Sequence, residues 1–150
     1  FRFKLYGLRM AIEEHPVPGT ILFCDFGSSF KPPEMVKRRC VVVISPKIRA
    51  RPKLCTVVCL STTPPNPIMD YHCQIDIRPR LPGNLESDAV WVKGDMIYSV
   101  GFYRLDLIRL GKNADGKRVY RYDVLADQQM RQIKSCVISA LGLRHLTEHI

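Results

Sequence analysis

The sequence has no apolar run approaching the roughly 20 residues that would cross a bilayer as a helix, and this predicts a soluble protein. Its opening, FRFKLYGLRM, scatters cations among apolar residues. It lacks the continuous apolar core and small-residue cleavage site of a secretory signal. Met10 is a candidate initiator, which would make the first nine residues an upstream extension. The six cysteines include no CxxC pair, and His72-Cys73 has no spaced partner pair, which argues against a structural zinc site. Most of the cysteines sit inside apolar, strand-like runs, as small buried hydrophobes in a reducing compartment do. No internal repeat and no low-complexity segment is present. The single tryptophan, Trp91, suits core or dimer-interface packing better than base stacking. Acids are few: 14 against 23 lysines and arginines, for a formal charge of +9 and a pI near 9.5. That excess attracts polyanions and predicts salt-dependent binding of any nucleic acid. It does not distinguish RNA from DNA, or either from an acidic protein.

What is present is enough for one compact domain: 150 residues, 46% hydrophobic and 25% charged. Residues 20–26 (TILFCDF), 39–45 and 54–61 (LCTVVCLS) read as apolar strands. Between them lie proline- and glycine-rich loops and the basic connection 47–53 (KIRARPK). Residues 72–78 alternate polar and apolar, the pattern of a half-buried strand. Residues 89–93 and 96–99 read as a strand pair, or as one strand bent at Gly94. A strand over 105–110, a turn at 113–117 and a return strand over 118–122 follow. Asp127 is a candidate N-cap, Met130, Ile133, Val137, Ile138 and Leu141 recur at helical spacing, and Gly142 offers a stop. The order of elements predicts a mainly β fold with some α, a small curved barrel or sheet capped by a C-terminal helix.

The chain is organised around residues 33–46, PEMVKRRCVVVISP. Its second half is a β-branched run suited to a strand buried on both faces. Its first half brings Glu34 and then three consecutive cations, Lys37, Arg38 and Arg39. Arginine presents a planar fork of donors that matches a phosphate. As neighbours on a strand, Arg38 and Arg39 are expected on opposite faces. Taken alone, such a cluster is more often a set of charges that keeps an apolar strand from aggregating.

Four segments together resemble the PemK/MazF family, toxins of bacterial toxin–antitoxin pairs. They are PGTILFCDF, PEMVKRRCVVVISP, the strand-end LSTT of residues 60–63, and VKGD of residues 92–95. The terminal amphipathic helix fits as well, and the resemblance runs from residue 18 to about 143. It assigns residues 18–150 to the toxin domain and 1–17 to an N-terminal extension. Cys40 stands where the family usually has proline, Lys37 where many members have glycine, and Pro33 where some have histidine. The turn at 113–117 looks like a longer insertion than most members carry.

The resemblance implies an SH3-like or CcdB-like barrel. It implies a homodimer in the bacterial cytoplasm, a cognate antitoxin as partner, and no membrane association or cofactor. The implied activity is metal-independent, sequence-selective cleavage of single-stranded RNA to a 2′,3′-cyclic phosphate and a 5′-hydroxyl. Such cleavage needs a base for the 2′-hydroxyl, donors for the charged phosphorane and an acid for the leaving oxygen. By resemblance Arg39 binds the phosphate and stabilises the transition state, and Thr62 hydrogen-bonds a phosphate oxygen. Glu34 or Asp95 is the base. Arg38, Lys37, Lys93 and Ser61 are further candidates for holding substrate.

Each residue also has a plainer local reading. Glu34 suits a surface pair with Lys37 or Arg38, Thr62 suits a turn, and Lys93 and Asp95 flank a glycine as in a solvated turn. His72 suits a structural role and Ser45 a strand terminator. A CcdB-like toxin that binds DNA gyrase without chemistry is the competing function. A DNA-binding barrel is a third, which explains the charge but not the acids beside it.

Overall fold

The computed structural model describes residues 3–6, 9–27, 29–83 and 87–150, with residues 3–6 and 9–11 described through their backbone alone. Ser28 and residues 84–86, which belong to loops expected from the sequence, lie outside the described residues. The strands are β1 (Phe3–Tyr6), β2 (Arg9–Ile12), β3 (Ile21–Asp25), β4 (Arg38–Val43), β5 (Leu54–Ser61), β6 (His72–Asp76), β7 (Ala89–Gly101), β8 (Leu105–Asp106), β9 (Arg109–Lys112) and β10 (Arg118–Tyr120). One helix, α1 (Asp127–Ala140), follows, with short 3-10 turns at Phe102–Arg104 and Arg144–His149. Eight strands form one antiparallel sheet in the order β1-β2-β8-β3-β4-β5-β7-β6, and β9 and β10 form a separate ribbon. This is the mainly β fold with a C-terminal helix that the sequence predicts. The sheet is not closed into a barrel: β1 and β6 remain its edges.

The continuous apolar strands at the centre fill both faces of the sheet. On one face lie Leu22, Cys24, Val41, Val43, Val57 and Cys59, joined by Phe26, Val100 and Leu105. On the other lie Ile21, Val42, Val58 and Leu60, joined by Ile75, Val90, Val92 and the α1 residues Met130, Ile133 and Cys136. Burying each large aliphatic side chain contributes roughly 1.5–3 kcal/mol, so α1 is held mainly by the three buried residues of one stripe.

The helix comes close because β7 bulges. Val58 pairs with Ile97 and Cys59 with Lys93, so residues 94–96 are looped out of the ladder. A Cβ on Gly94 would lie 2.6 Å from the carbonyl carbon of Cys136 and 2.7 Å from the Tyr71 carbonyl oxygen, so only glycine fits there. The sequence reading of a strand bent at Gly94 is what forms.

Several expected boundaries change: β3, β4 and β10 are each shorter than the strands read over 20–26, 39–45 and 118–122, and three changes are larger. The 105–110 strand is broken: β8 pairs with β3 at Phe23 and Cys24, and the chain then buries Leu107 and Ile108 in opposite cores before β9 begins. Asp127 is not the helix cap. Ala126 holds that position, its N–H donating to Gln129 Oε1 at 3.1 Å, while Asp127 lies in the first turn. There its charge still favours the helix dipole. The strand begun at His72 ends at Asp76, after which Ile77 N–H donates to the Asp88 carbonyl and the chain turns away. Gly142 has φ +76, and Leu143 N–H returns to the Ile138 carbonyl at 3.0 Å, as expected of the stop.

Candidate active site

The cation cluster lies where β4 begins, and its position is set by the loop before it. Phe26, Phe30 and Tyr98 stack edge to face with centroids 5.0–5.6 Å apart. The Tyr98 hydroxyl accepts the Met35 N–H at 2.8 Å. Arg104 donates to the Asp25 carbonyl and to Ser29 Oγ at 3.1 and 2.8 Å, closing the loop from the other side. The chain then passes through Lys37 at φ +67, the left-handed region that glycine adopts without strain, before β4 starts. Lys37 thus occupies a glycine-like turn and delivers Arg38 and Arg39 to the strand end.

Register does the rest. Val41 faces Cys59 across β4 and β5 where their ladder ends, which leaves Arg39 and Ser61 at the two strand ends, both lining the space between them. Cys59 in turn faces Lys93 on β7. Phe23 on β3 faces Cys40. These strand ends enclose a cleft of about 290 Å³. Arg38, Arg39 and Lys93 bring cations to it, and Ser61, Thr62 and Thr63 bring hydroxyls. Phe23, Met35, Cys40, Leu60, Leu81 and Pro82 complete the lining, and no acid is among the described lining residues.

Five of the eight residues singled out from the sequence therefore share one cleft: Arg38, Arg39, Ser61, Thr62 and Lys93. The two arginines do alternate, Arg39 lying on the side of Val41 and Arg38 on the side of Val42. Both nevertheless line the cleft, because it lies across the strand ends rather than on one face. Their fixings differ. Arg38 has its guanidinium carbon 4.0 Å from the centre of the Phe23 ring, and its Nη2 is 3.6 Å from the largely buried Asp106 carboxylate. No contact of this kind holds Arg39 among the described residues.

Glu34, Lys37 and Asp95 are not in the lining. The Glu34 carboxylate accepts the Lys31 N–H at 3.0 Å, which closes a local turn rather than the expected surface pair. Asp95 lies on the β7 bulge with Oδ1 3.5 Å from His72 Nε2. The His72 Nδ1 accepts the Met69 N–H at 3.0 Å, so Nε2 carries the proton of the neutral ring. The hydroxyl of Ser61 both donates to the Thr63 carbonyl and accepts the Thr63 N–H, each at 3.1 Å. Thr62, between them, is exposed.

The thiol at the cleft wall is held in its protonated form. Burial pushes Cys40 up to about 11 against the opposing pull of Arg38 and Arg121. Burial likewise raises Cys59, just behind Arg39, to about 12. Both are protonated near neutrality, which leaves the cleft's charge wholly cationic. Among the described residues no three histidines, cysteines or acids gather as metal ligands.

Sequence reasoning missed the apolar wall of Phe23, Leu60, Leu81 and Pro82. Phe23 and Leu60 read only as strand residues, and their place beside the cations depends on cross-strand register. Leu81 and Pro82 come from the loop after β6, whose ends are clasped by Arg78 and Arg80 on Asp88 at 2.7 and 2.9 Å.

Comparison with known proteins gives the geometry a setting. A model of the PemK-like, MazF-like toxins of type II toxin–antitoxin systems matches residues 18–141. An uncharacterised Escherichia coli K12 protein, YifN, is 31% identical over 152 residues, covering 89% of this chain and 99% of that protein. An uncharacterised Haemophilus influenzae protein is 29% identical over 150 residues, covering 88% and 98%. A mycobacterial endoribonuclease, solved in complex with its cognate antitoxin, superposes with a TM-score of 0.55 at 20% identity over 86% of this chain and 97% of that one. A second mycobacterial endoribonuclease gives 0.52 at 20% identity over 85% and 92%. At these identities the structural likeness is one of fold.

Proposed function

This chain belongs to the PemK-like, MazF-like toxins of type II toxin–antitoxin systems, and on that premise we propose that it is a metal-independent endoribonuclease acting on single-stranded RNA at the Arg39 cleft. The observation that carries the reading is the convergence of Arg38, Arg39 and Lys93 with the hydroxyls of Ser61 and Thr62 around one cleft free of described acids. A cation cluster that only kept a strand from aggregating would not need three separate strand ends to converge.

In this reading the scissile phosphate lies between Arg39, Lys93 and Thr62. The RNA 2′-oxygen attacks phosphorus, the bond to the 5′-oxygen breaks, and the products are a 2′,3′-cyclic phosphate and a 5′-hydroxyl. Arg39 meets the charge that builds on the phosphoryl oxygens with a two-pronged donor. Thr62, exposed just past the end of β5, donates its hydroxyl to a third position. Asp95 is the better candidate for taking the 2′-hydroxyl proton. It stands two residues after the cleft residue Lys93, on the bulge of β7, whereas Glu34 is engaged in its own turn. Lys93 returns a proton to the leaving oxygen, since an ammonium releases one more readily than a guanidinium. Lys37 stays outside and adds only to the surrounding field.

The same reading includes two protein partners. A cognate antitoxin with an acidic segment would cover the cationic cleft. A second copy of the chain would bury the exposed apolar group of Leu141, Leu143 and Leu146. The deciding experiment is incubation of the purified protein with a long RNA in excess EDTA. Discrete fragments ending in a cyclic phosphate are expected. Intact RNA, together with binding to DNA gyrase, would replace the nuclease with a binding toxin.

A further inference from the structure

The cleft has two unlike halves, and the catalytic reading uses only one of them. Arg39, Lys93 and the hydroxyls serve a phosphate. The other half is walled by Phe23, Leu60 and Leu81, with Pro82 at its rim. Leu60 and Leu81 are 3% and 4% exposed, so this wall is part of the core rather than a mobile fringe. The Cys40 thiol beside it is neutral.

Between the halves sits Arg38. Its guanidinium lies 4.0 Å over the Phe23 ring, and Asp106, only 6% exposed, holds its edge at 3.6 Å. The Arg38 side chain itself is 48% exposed. The guanidinium therefore has an aromatic ring on one side and a carboxylate within ion-pair distance, while about half of the side chain stays exposed where it lines the cleft. A ring contact of this kind fixes where the cation sits beside the apolar wall, which neutralising a phosphate alone does not require. A guanidinium held in place next to an apolar wall is suited to a flat π-system, because bases stack on arginine planes as they do on aromatic rings.

We propose that Arg38, laid between Phe23 and Asp106, is the platform of a nucleobase subsite, taking one base adjoining the scissile phosphate against the Phe23, Leu60 and Leu81 wall. The inference rests on the reading of this cleft as an RNA-cleaving site. It separates the neighbouring arginines by role: Arg39 acts on the phosphate, and Arg38 acts on a base. Asp106 is then a positioning residue, acting on the base only through Arg38.

The test uses short RNAs carrying a 2′-deoxy sugar at the cleaved position, so that binding is measured without turnover. In a series of these, each nucleotide flanking the cleaved bond is replaced in turn by an abasic ribose. A stacked base is worth roughly 1–3 kcal/mol, so one abasic position should weaken binding by about 5–150-fold while the others change little. In Arg38→Lys the charge remains and the plane is lost, and the penalty at that position should disappear. Asp106→Asn should reduce it partially. An equal effect of every abasic position on the unaltered protein overturns the subsite without calling on any variant. So does an unchanged penalty in Arg38→Lys with its melting temperature preserved. The two readings fail separately. Cleavage of the ribose RNA without any position-specific abasic effect removes the subsite and leaves the nuclease. A position-specific effect without cleavage removes the nuclease and leaves the subsite.

Discussion

The two ends of β4 carry similar cation runs in different surroundings. At its start stand Lys37, Arg38 and Arg39, and beyond its end lie Lys47, Arg49, Arg51 and Lys53. By charge alone the second run is the stronger. Residues 47–53 are nonetheless all exposed on a connection between two strands, and the cleft that adjoins them at Pro52 and Lys53 is lined by Glu13, Phe102 and Tyr103 and brings no second cation of the run to it. The first run opens onto a cleft shared with β3, β5 and β7. Charge density on a sequence reports attraction for polyanions, whereas a site needs the charges held in place beside groups of other chemistry.

The sharpest way to break this comparison is Arg39→Ala. Removing one preorganised donor from a transition state costs about 10²–10³ in rate, so single-turnover cleavage should fall by that factor while affinity for an uncleavable RNA falls far less. Arg39→Lys should recover little of it, since a point charge lacks the fork. Cleavage and affinity falling together would reduce Arg39 to the status of the 47–53 run.

A structural prediction comes next in size. Gly94→Ala forces a methyl against the Cys136 backbone and the Tyr71 carbonyl. Overpacking of this kind costs roughly 1–3 kcal/mol, and denaturant melts should show it as a lowered midpoint. Because the bulge at residues 94–96 carries Asp95, cleavage should also slow. A variant that melts like the parent would mean that the helix does not rest on the bulge.

Neutralising Lys47, Arg49, Arg51 and Lys53 together should leave the cleavage rate at saturating RNA unchanged. It should weaken binding at low salt and flatten the dependence of log Kd on log salt. A fall in the saturated rate would place the second run in the catalytic machinery and collapse the comparison.

The smallest effect concerns the loop that brings Leu81 and Pro82 to the cleft. The hydrogen bond from Arg80, with the charges of Arg78 and Arg80, holds Asp88 below the usual carboxylate range against an opposing desolvation. A depressed carboxyl contributes stability that is present above its unfolded pKa and lost as pH falls through the folded value. The clasp should therefore loosen only in acid below the ordinary aspartate range, read as faster amide exchange at Ile77. Asp88→Asn should abolish that acid step, and its persistence would assign the step to another group.

Much of the fold was legible because its strands are written in apolar runs punctuated by proline and glycine. The 54–61 strand falls on its expected bounds, and Gly142 stops the helix as read. The cap at Asp127 misled because a good capping side chain one residue inside the helix has the same local signature as one at its start. Of the candidate site, the cations and the LSTT hydroxyls could be picked out, since donor chemistry is visible in residue type. The apolar half could not be, because a phenylalanine in a strand has the same one-dimensional signal whether it lines a cleft or a core.

By itself the sequence determined the element types, the basic charge and the residues with the chemistry for phosphate, all properties of short segments and side chains. Only the tertiary structure decided which of them meet. Arg39, Ser61 and Lys93 come to one cleft through the register of three strands, Arg38 is held beside Phe23 and Asp106, and Glu34 is drawn away into its own turn. Register and packing are settled by burial summed over the whole sheet, in which a one-residue slip would turn every core side chain outward.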